Sequence, residues 1–190
     1  MSLANRFTFF RLFLSPVFFI IYNLPARAIW AVPLLWLIFV VSEITDLLDG
    51  KAARKRGEVS DFGKLFDPFA DTIMQITCFL CFVIDGIFPA ILFLLVIYRE
   101  FGVLFIRNLM LKKGVSLGAR FGGKLKTVFY IIAAAVALLA VSVKRFSIFE
   151  FLFPYIKTGA LIIFIISIII SIISFIDYFI IFWKTKKTFN

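Results

Sequence analysis

The sequence contains no histidine. That removes the side chain whose charge most readily changes near neutral pH and leaves any general base to a carboxylate or a less usual group. Cysteine is almost as scarce: Cys78 and Cys81 form a single C-x-x-C inside an apolar run. Without histidine or a second cysteine pair this makes a poor zinc site, and two thiols imply no disulfide framework. Burial against a neighbouring helix accounts for them better. Acids are also few, 11 against 21 lysines and arginines, for a net charge of +10.

Polar residues as a whole are in short supply. Of 190 residues, 63% are hydrophobic and the mean hydropathy is +1.06, where a soluble domain is nearer half apolar. This composition is that of an integral membrane protein forming a single domain over residues 1–190, with no room for a sizeable soluble unit. In a soluble chain the basic excess would suggest nucleic acid. Here the basic residues gather at segment ends, where they read as topology signals and as contacts for anionic lipid or phosphate, so no nucleic-acid partner is expected. Arg11 interrupts the first apolar run and no small-residue cleavage pattern follows, which argues against a cleavable signal peptide.

The expected fold is all-α, with six transmembrane helices, a short amphipathic N-terminal segment and both termini cytoplasmic. Asn5, Thr8 and Arg11, spaced by three, predict a polar stripe at the membrane surface leading into a short span that ends near Tyr22. Further spans are expected over about 30–49, 63–84, 87–111, 126–143 and 155–183, separated by Asn23-Leu24-Pro25, a polar link from Gly50 to Phe62, the turn Asp85-Gly86, and a glycine-rich basic link from Lys112 to Gly123. Asp67-Pro68 marks a helix start, since proline is tolerated in a first turn. The links holding Lys51, Arg54, Lys55, Arg56 and Lys64, then Lys112, Lys113, Arg120 and Lys124, fall on the same side as Lys184, Lys186 and Lys187. The opposite side has only Arg27, Lys144, Arg145 and Lys157. The positive-inside rule makes the first side cytoplasmic.

Within this apolar chain the stretch from Thr45 to Thr72 stands out. Asp46 and Asp49 are three apart, and Asp67 and Asp71 four apart, so on helices each pair projects from one face. A carboxylate near the centre of a spanning helix costs roughly 2.5–3.5 kcal/mol on the most forgiving scale, so four in one neighbourhood call for a cation. Carboxylates from two facing helices suit Mg²⁺ or Mn²⁺, and four of them permit a pair of metals about 4 Å apart, as in phosphoryl transfer. Gly50 and Gly63 allow close backbone approach by a phosphate, Arg54 offers a bidentate partner, and Asp71 is a candidate base. Two other readings remain open from spacing alone. Asp46 or Asp49 pairs with Lys51 or Arg54 at a solvated helix end, or the acids line an ion path in a transporter. The second is disfavoured because the acids sit at one face rather than across the bilayer.

Asp46-x-x-Asp49-Gly50-x-x-Ala53-Arg54, eight residues, then Gly63-x-x-x-Asp67-x-x-x-Asp71 resembles the full signature of the CDP-alcohol phosphotransferase family. The resemblance implies a six-helix membrane enzyme, usually a homodimer, that moves a substituted phosphate from a CDP-linked donor to an alcohol and releases CMP. It further implies that Asp46, Asp49, Asp67 and Asp71 hold two divalent cations (Mg²⁺ or Mn²⁺), with Asp71 also taking the acceptor's proton. Gly50, Ala53, Arg54, Ser60 and Gly63, with Asn5, Thr8 and Arg11 closing from the first helix, are then expected to bind CDP-diacylglycerol. Four stretches are similar to the branch of the family whose acceptor is sn-glycerol 3-phosphate: Asn5-x-x-Thr8-x-x-Arg11 with Pro16, Thr45-Asp46 to Lys64, Asp67-Pro68-x-Ala70-Asp71, and Arg99-Glu100 followed by Gly123-Lys124-x-Lys126-Thr127. Thr72 and Tyr130 depart from that branch, which usually has lysine and glutamine there. The implied location is a bacterial cytoplasmic membrane with the active site facing the cytoplasm.

The residues themselves also favour a phosphorylated acceptor. Arg99, Arg107, Arg120, Lys124 and Lys126 lie in or beside the fourth and fifth spans, more positive charge than inositol, choline or serine requires. The alternative is that they are topology anchors, equally good for Arg120. Arg99 and Glu100, as helix neighbours, are poorly oriented to pair, so each is expected to find a partner elsewhere. Ser167, Ser171 and Ser174 share a helical face and mark packing.

Overall fold

A backbone surrounded by lipid must satisfy its own hydrogen bonds, so long apolar runs fold as helices. The computed structural model describes the backbone of residues 3–25, 28–56, 61–112, 114–115 and 121–188, and the side chains of 8–25, 28–45, 66–112, 114–115 and 121–185. Among the described residues there is no strand. The helices are α1 (Leu3–Tyr22), α2 (Ala31–Arg56), α3 (Asp61–Ile84), α4 (Ala90–Lys112), α5 (Phe121–Phe146) and α6 (Phe153–Thr188), with a 3₁₀ turn at Glu150–Leu152. Phe66–Ile84, Phe121–Phe146 and Glu150–Thr185 are long and apolar enough to cross a membrane, and Thr8–Tyr22 and Ala31–Thr45 are shorter apolar helices. This is a helical membrane protein.

Four local expectations need correction. The N-terminal segment is not a separate surface piece: α1 is one helix running through Pro16, and Thr8 and Arg11 are 1% and 2% exposed. Their polar groups have partners on α3, which turns the stripe inward. α2 continues past Gly50 to Arg56, because one interior glycine costs only about 1 kcal/mol and Ala-Ala-Arg-Lys-Arg favours helix. α3 starts at Asp61, so Pro68 lies inside it rather than at its beginning. α5 starts at Phe121 and takes Gly122 and Gly123 into its first turn.

The chain reverses where it was expected to at Asp85-Gly86. Gly86 has φ +66°, Ile87 N donates to Phe82 O at 2.8 Å and Gly86 N to Val83 O at 2.9 Å. This doubly bonded C-terminal cap needs a left-handed residue, which glycine supplies without steric cost. The same cap closes α4, with Gly114 at φ +76° and bonds from Val115 N to Met110 O and Gly114 N to Leu111 O.

Aromatic rings fill the core between α3, α5 and α6. Phe79 meets Tyr130 edge-on at 5.1 Å and Phe164 at 4.9 Å, while Phe88 stacks on Phe164 at 4.1 Å. Cys78 and Cys81 are free and buried beside them, as expected. Lipid is as apolar as a phenyl ring, so this cluster holds the helices together through close packing rather than escape from water. Phe79→Ala would leave a void touching three helices, and it is expected to lower the apparent Tm in detergent by several degrees. An equal loss from Phe121→Ala, whose side chain is 82% exposed, would contradict that.

Candidate active site

α1 and α3 run side by side in the same direction, since their polar partners rise together in number. Thr8 Oγ1 donates to Asp67 Oδ1, and Arg11 Nη1 donates to Asp71 Oδ1. Ser15 Oγ and Thr77 Oγ1 follow at 2.6 Å, then Tyr22 Oη donating to Asp85 Oδ2 at 2.8 Å. Helical spacing produces this ladder: Thr8, Arg11 and Ser15 share a face of α1, and Asp67 and Asp71 are one turn apart on α3. The Asp71 side chain keeps 34% of its surface exposed. It is therefore anchored by α1 while still open to the cavity that it lines.

A cluster of buried charge faces it. Arg99 Nη1 donates to Glu100 Oε1 at 2.9 Å, Lys126 Nζ donates to the same oxygen at 2.9 Å, and Arg99 Nε donates to the Ser171 carbonyl oxygen at 3.1 Å. All three charged residues are 5–6% exposed. The expectation that Arg99 and Glu100 would not pair is corrected, because the long guanidinium arm bends back across the offset between neighbours. Each also has the expected partner on another helix, α6 for Arg99 and α5 for Glu100. Two cations on one carboxylate leave the cluster with a net positive charge. In surroundings of low dielectric such a charge attracts an anion far more strongly than in water.

A cavity of about 230 Å³ connects the two groups, its walls including Arg11, Asp71, Arg99, Glu100, Arg107 and Lys126. That volume lies below the range of about 300–1,000 Å³ for sites that take drug-sized ligands. Arg107 reaches the wall from α4. Lys124 does not line the cavity and is exposed on α5. Glu43 lines it too and was missed in the sequence; standing three residues before Asp46 on α2, it could have been found by extending that face by one turn. The serine face of α6 is buried as expected, with Ser167, Ser171 and Ser174 at 0%, 1% and 4% exposure.

The side chains of Asn5, Asp46, Asp49, Gly50, Ala53, Arg54 and Gly63, and all of Ser60 and Arg120, lie outside the described residues. The backbone of α2 runs unbroken from Asp46 through Arg54. Among the described residues no three potential ligands cluster, two of the four aspartates being outside them. Asp67 and Asp71 are oxygen donors one turn apart and both partly exposed, a set that fits a hard divalent cation.

The family model of CDP-alcohol phosphatidyltransferase matches residues 1–184. The chain belongs to this family. Among similar proteins, the CDP-diacylglycerol–glycerol-3-phosphate 3-phosphatidyltransferase of Treponema pallidum is 35% identical over 98% of this chain and 92% of its own length. That of Bacillus subtilis is 30% identical over 100% and 99%. A probable phosphatidylglycerophosphate synthase of Mycobacterium tuberculosis is 29% identical over 93% of this chain and 79% of its own. Membership of the CDP-alcohol phosphatidyltransferases bears out the resemblance carried by the aspartate signature, and it covers nearly the whole chain rather than the signature alone.

Proposed function

We propose that this protein transfers the phosphatidyl group from CDP-diacylglycerol to sn-glycerol 3-phosphate, giving phosphatidylglycerophosphate and CMP. The observation that carries this reading is the single cavity in which Asp71 shares walls with Arg99, Arg107 and Lys126. A carboxylate able to take a proton and a cluster able to hold a phosphate belong at opposite ends of one small acceptor. Relatives bearing that activity in their names, at 30–35% identity over almost the full chain, support it.

In this account Asp46, Asp49, Asp67 and Asp71 hold two divalent cations, Mg²⁺ or Mn²⁺. When bound, these ions supply neutralising charge around the donor pyrophosphate. Asn5, Gly50, Ala53, Arg54, Ser60 and Gly63 bind the CDP-diacylglycerol headgroup. Thr8 and Arg11 act on the donor site indirectly, by fixing the Asp67 and Asp71 side chains to which they are bonded. Arg99, Arg107 and Lys126 hold the acceptor phosphate, and Lys124 is left as charge at the membrane face. The glycerol hydroxyl gives its proton to Asp71 as its oxygen bonds to the phosphorus carrying diacylglycerol. The bond from that phosphorus to the CMP oxygen breaks, and CMP departs with the electron pair. Met74, Val103 and Leu104, also on the cavity wall, exclude bulk water that would compete with the acceptor.

All six helices cross the membrane in this reading, as one domain over residues 1–190 with both termini cytoplasmic, in a bacterial cytoplasmic membrane and as a homodimer. The parallel pairing of α1 with α3 and the basic residues of the connecting segments support that topology. Purified protein given CDP-diacylglycerol and Mg²⁺ or Mn²⁺ should release CMP with sn-glycerol 3-phosphate and yield phosphatidylglycerophosphate. It should stay silent with glycerol, inositol phosphate or phosphatidylglycerol. CMP release with inositol phosphate or phosphatidylglycerol instead would replace the acceptor, and cation flux without CMP release would replace the reaction.

A further inference from the structure

We propose that Tyr130 is a positioning residue for the acceptor, its ring holding the Lys126 ammonium in the orientation that meets the acceptor phosphate. The inference rests on the reading of Lys126 as a phosphate ligand. Lys126 Nζ lies 4.6 Å from the centroid of the Tyr130 ring, one turn further along α5, within the range in which a ring's negative face attracts a cation. Glu100 Oε1 fixes the ammonium from a second direction at 2.9 Å. An ammonium has three N–H donors. With the carboxylate and the ring each claiming one direction, the remaining donor is free for the cavity that Lys126 lines.

Tyr130 is built to be rigid. It is 1% exposed, meets Phe79 edge-on at 5.1 Å with an interplanar angle of 86°, and donates through its hydroxyl to Ser171 Oγ at 3.2 Å. The carbonyl of the same Ser171 accepts Arg99 Nε, so one residue of α6 steadies the supports of both buried cations. Tyr130 is absent from the 230 Å³ cavity wall. In this proposal it therefore acts through Lys126, from a smaller neighbouring cavity that shares Glu43, Met74 and Gln75 with the larger one.

The test compares full-length wild type with Lys126→Ala, Tyr130→Leu, Tyr130→Phe and the Lys126→Ala/Tyr130→Leu double variant, reading the KM of each substrate separately. Lys126→Ala should raise the KM for glycerol 3-phosphate and leave that for CDP-diacylglycerol unchanged. Tyr130→Leu should raise the same KM about five- to thirtyfold, the range that a desolvated cation–ring contact covers. Tyr130→Phe should restore most of the loss, and Tyr130→Leu should add nothing once Lys126 is gone. Trifluorination of a phenylalanine placed at position 130 drains the ring's negative face at nearly constant shape, and should raise the KM relative to plain phenylalanine even if the leucine variant folds poorly. If Lys126→Ala raises the acceptor KM while the ring variants do not, the positioning role fails and the acceptor site stands. If Tyr130→Leu moves both KM values, or adds fully to Lys126→Ala, Tyr130 is structural only. If Lys126→Ala itself leaves the acceptor KM unchanged, the reading of Lys126 fails and the inference with it.

Discussion

Asp71→Asn is expected to reduce kcat by about 10²–10⁴-fold, the span that a lost general base covers, while the Kd for CDP-diacylglycerol stays within a few-fold of wild type. The substitution keeps the shape of the side chain and an oxygen that accepts from Arg11, so the tie between α1 and α3 survives. What it removes is basicity at a partly exposed carboxylate that is tied to α1 and shares the cavity wall with the cation cluster; Glu43 is the other partly exposed acid on that wall. With no histidine in the chain, no imidazole can take over the proton. Rapid-quench measurement of CMP formation, paired with a separate titration of the donor, distinguishes loss of chemistry from loss of binding. Full activity of Asp71→Asn across the pH range would remove Asp71 from the proton-transfer step.

Glu100→Ala should cost the folded protein about 3–5 kcal/mol, because breaking a buried ion pair from one side leaves uncompensated charge behind. Here the loss strands two cations, since Arg99 and Lys126 share Glu100 Oε1 and both are about 6% exposed. The destabilised variant should respond to anions more than wild type does. Glycerol 3-phosphate seated between Arg99 and Lys126 would replace the missing carboxylate, and ligand at a hundred times its Kd returns about 2.7 kcal/mol by mass action. Thermal unfolding in nanodiscs, with glycerol 3-phosphate in one arm and glycerol in the other, measures both effects. Equal stabilisation by the two compounds, or wild-type stability without either, would contradict the charge arrangement.

The helices were legible because their apolar runs are long and their stops are chemical: Asn23-Leu24-Pro25 and Asp85-Gly86 end helices in the structure as they do on paper. The ends were misjudged where a residue with a poor local preference sits inside a helix that its neighbours or tertiary partners sustain. Gly50 lies within strong helix formers, and Pro68 lies beside the tied residue Asp67. Gly122 packs against Ser174, where an added Cβ would come within 3.3 Å of that side chain. The aspartate signature was legible in full because its information is local spacing. The partners of those groups were not, because Thr8 meets Asp67 across 59 residues and Lys126 meets Glu100 across 26, and helix spacing says which face a residue occupies but not which helix will cover it. Arg11 illustrates the difference. Its place in a polar stripe was legible, and the helix that covers that stripe, α3, was not.

In the proposed function the carboxylate on α3 and the cations on α4 and α5 form one site for one small anion. Calorimetric titration of glycerol 3-phosphate into Asp71→Asn protein in nanodiscs, loaded with CDP-diacylglycerol and Mg²⁺, tests it without turnover. Addition of Lys126→Ala to that background should weaken binding by roughly tenfold or more, since a hydrogen bond to a charged group contributes about 1.5–3 kcal/mol. Glycerol should not bind in either protein. Acceptor affinity indifferent to Lys126, or equal for glycerol and its phosphate, would contradict the account.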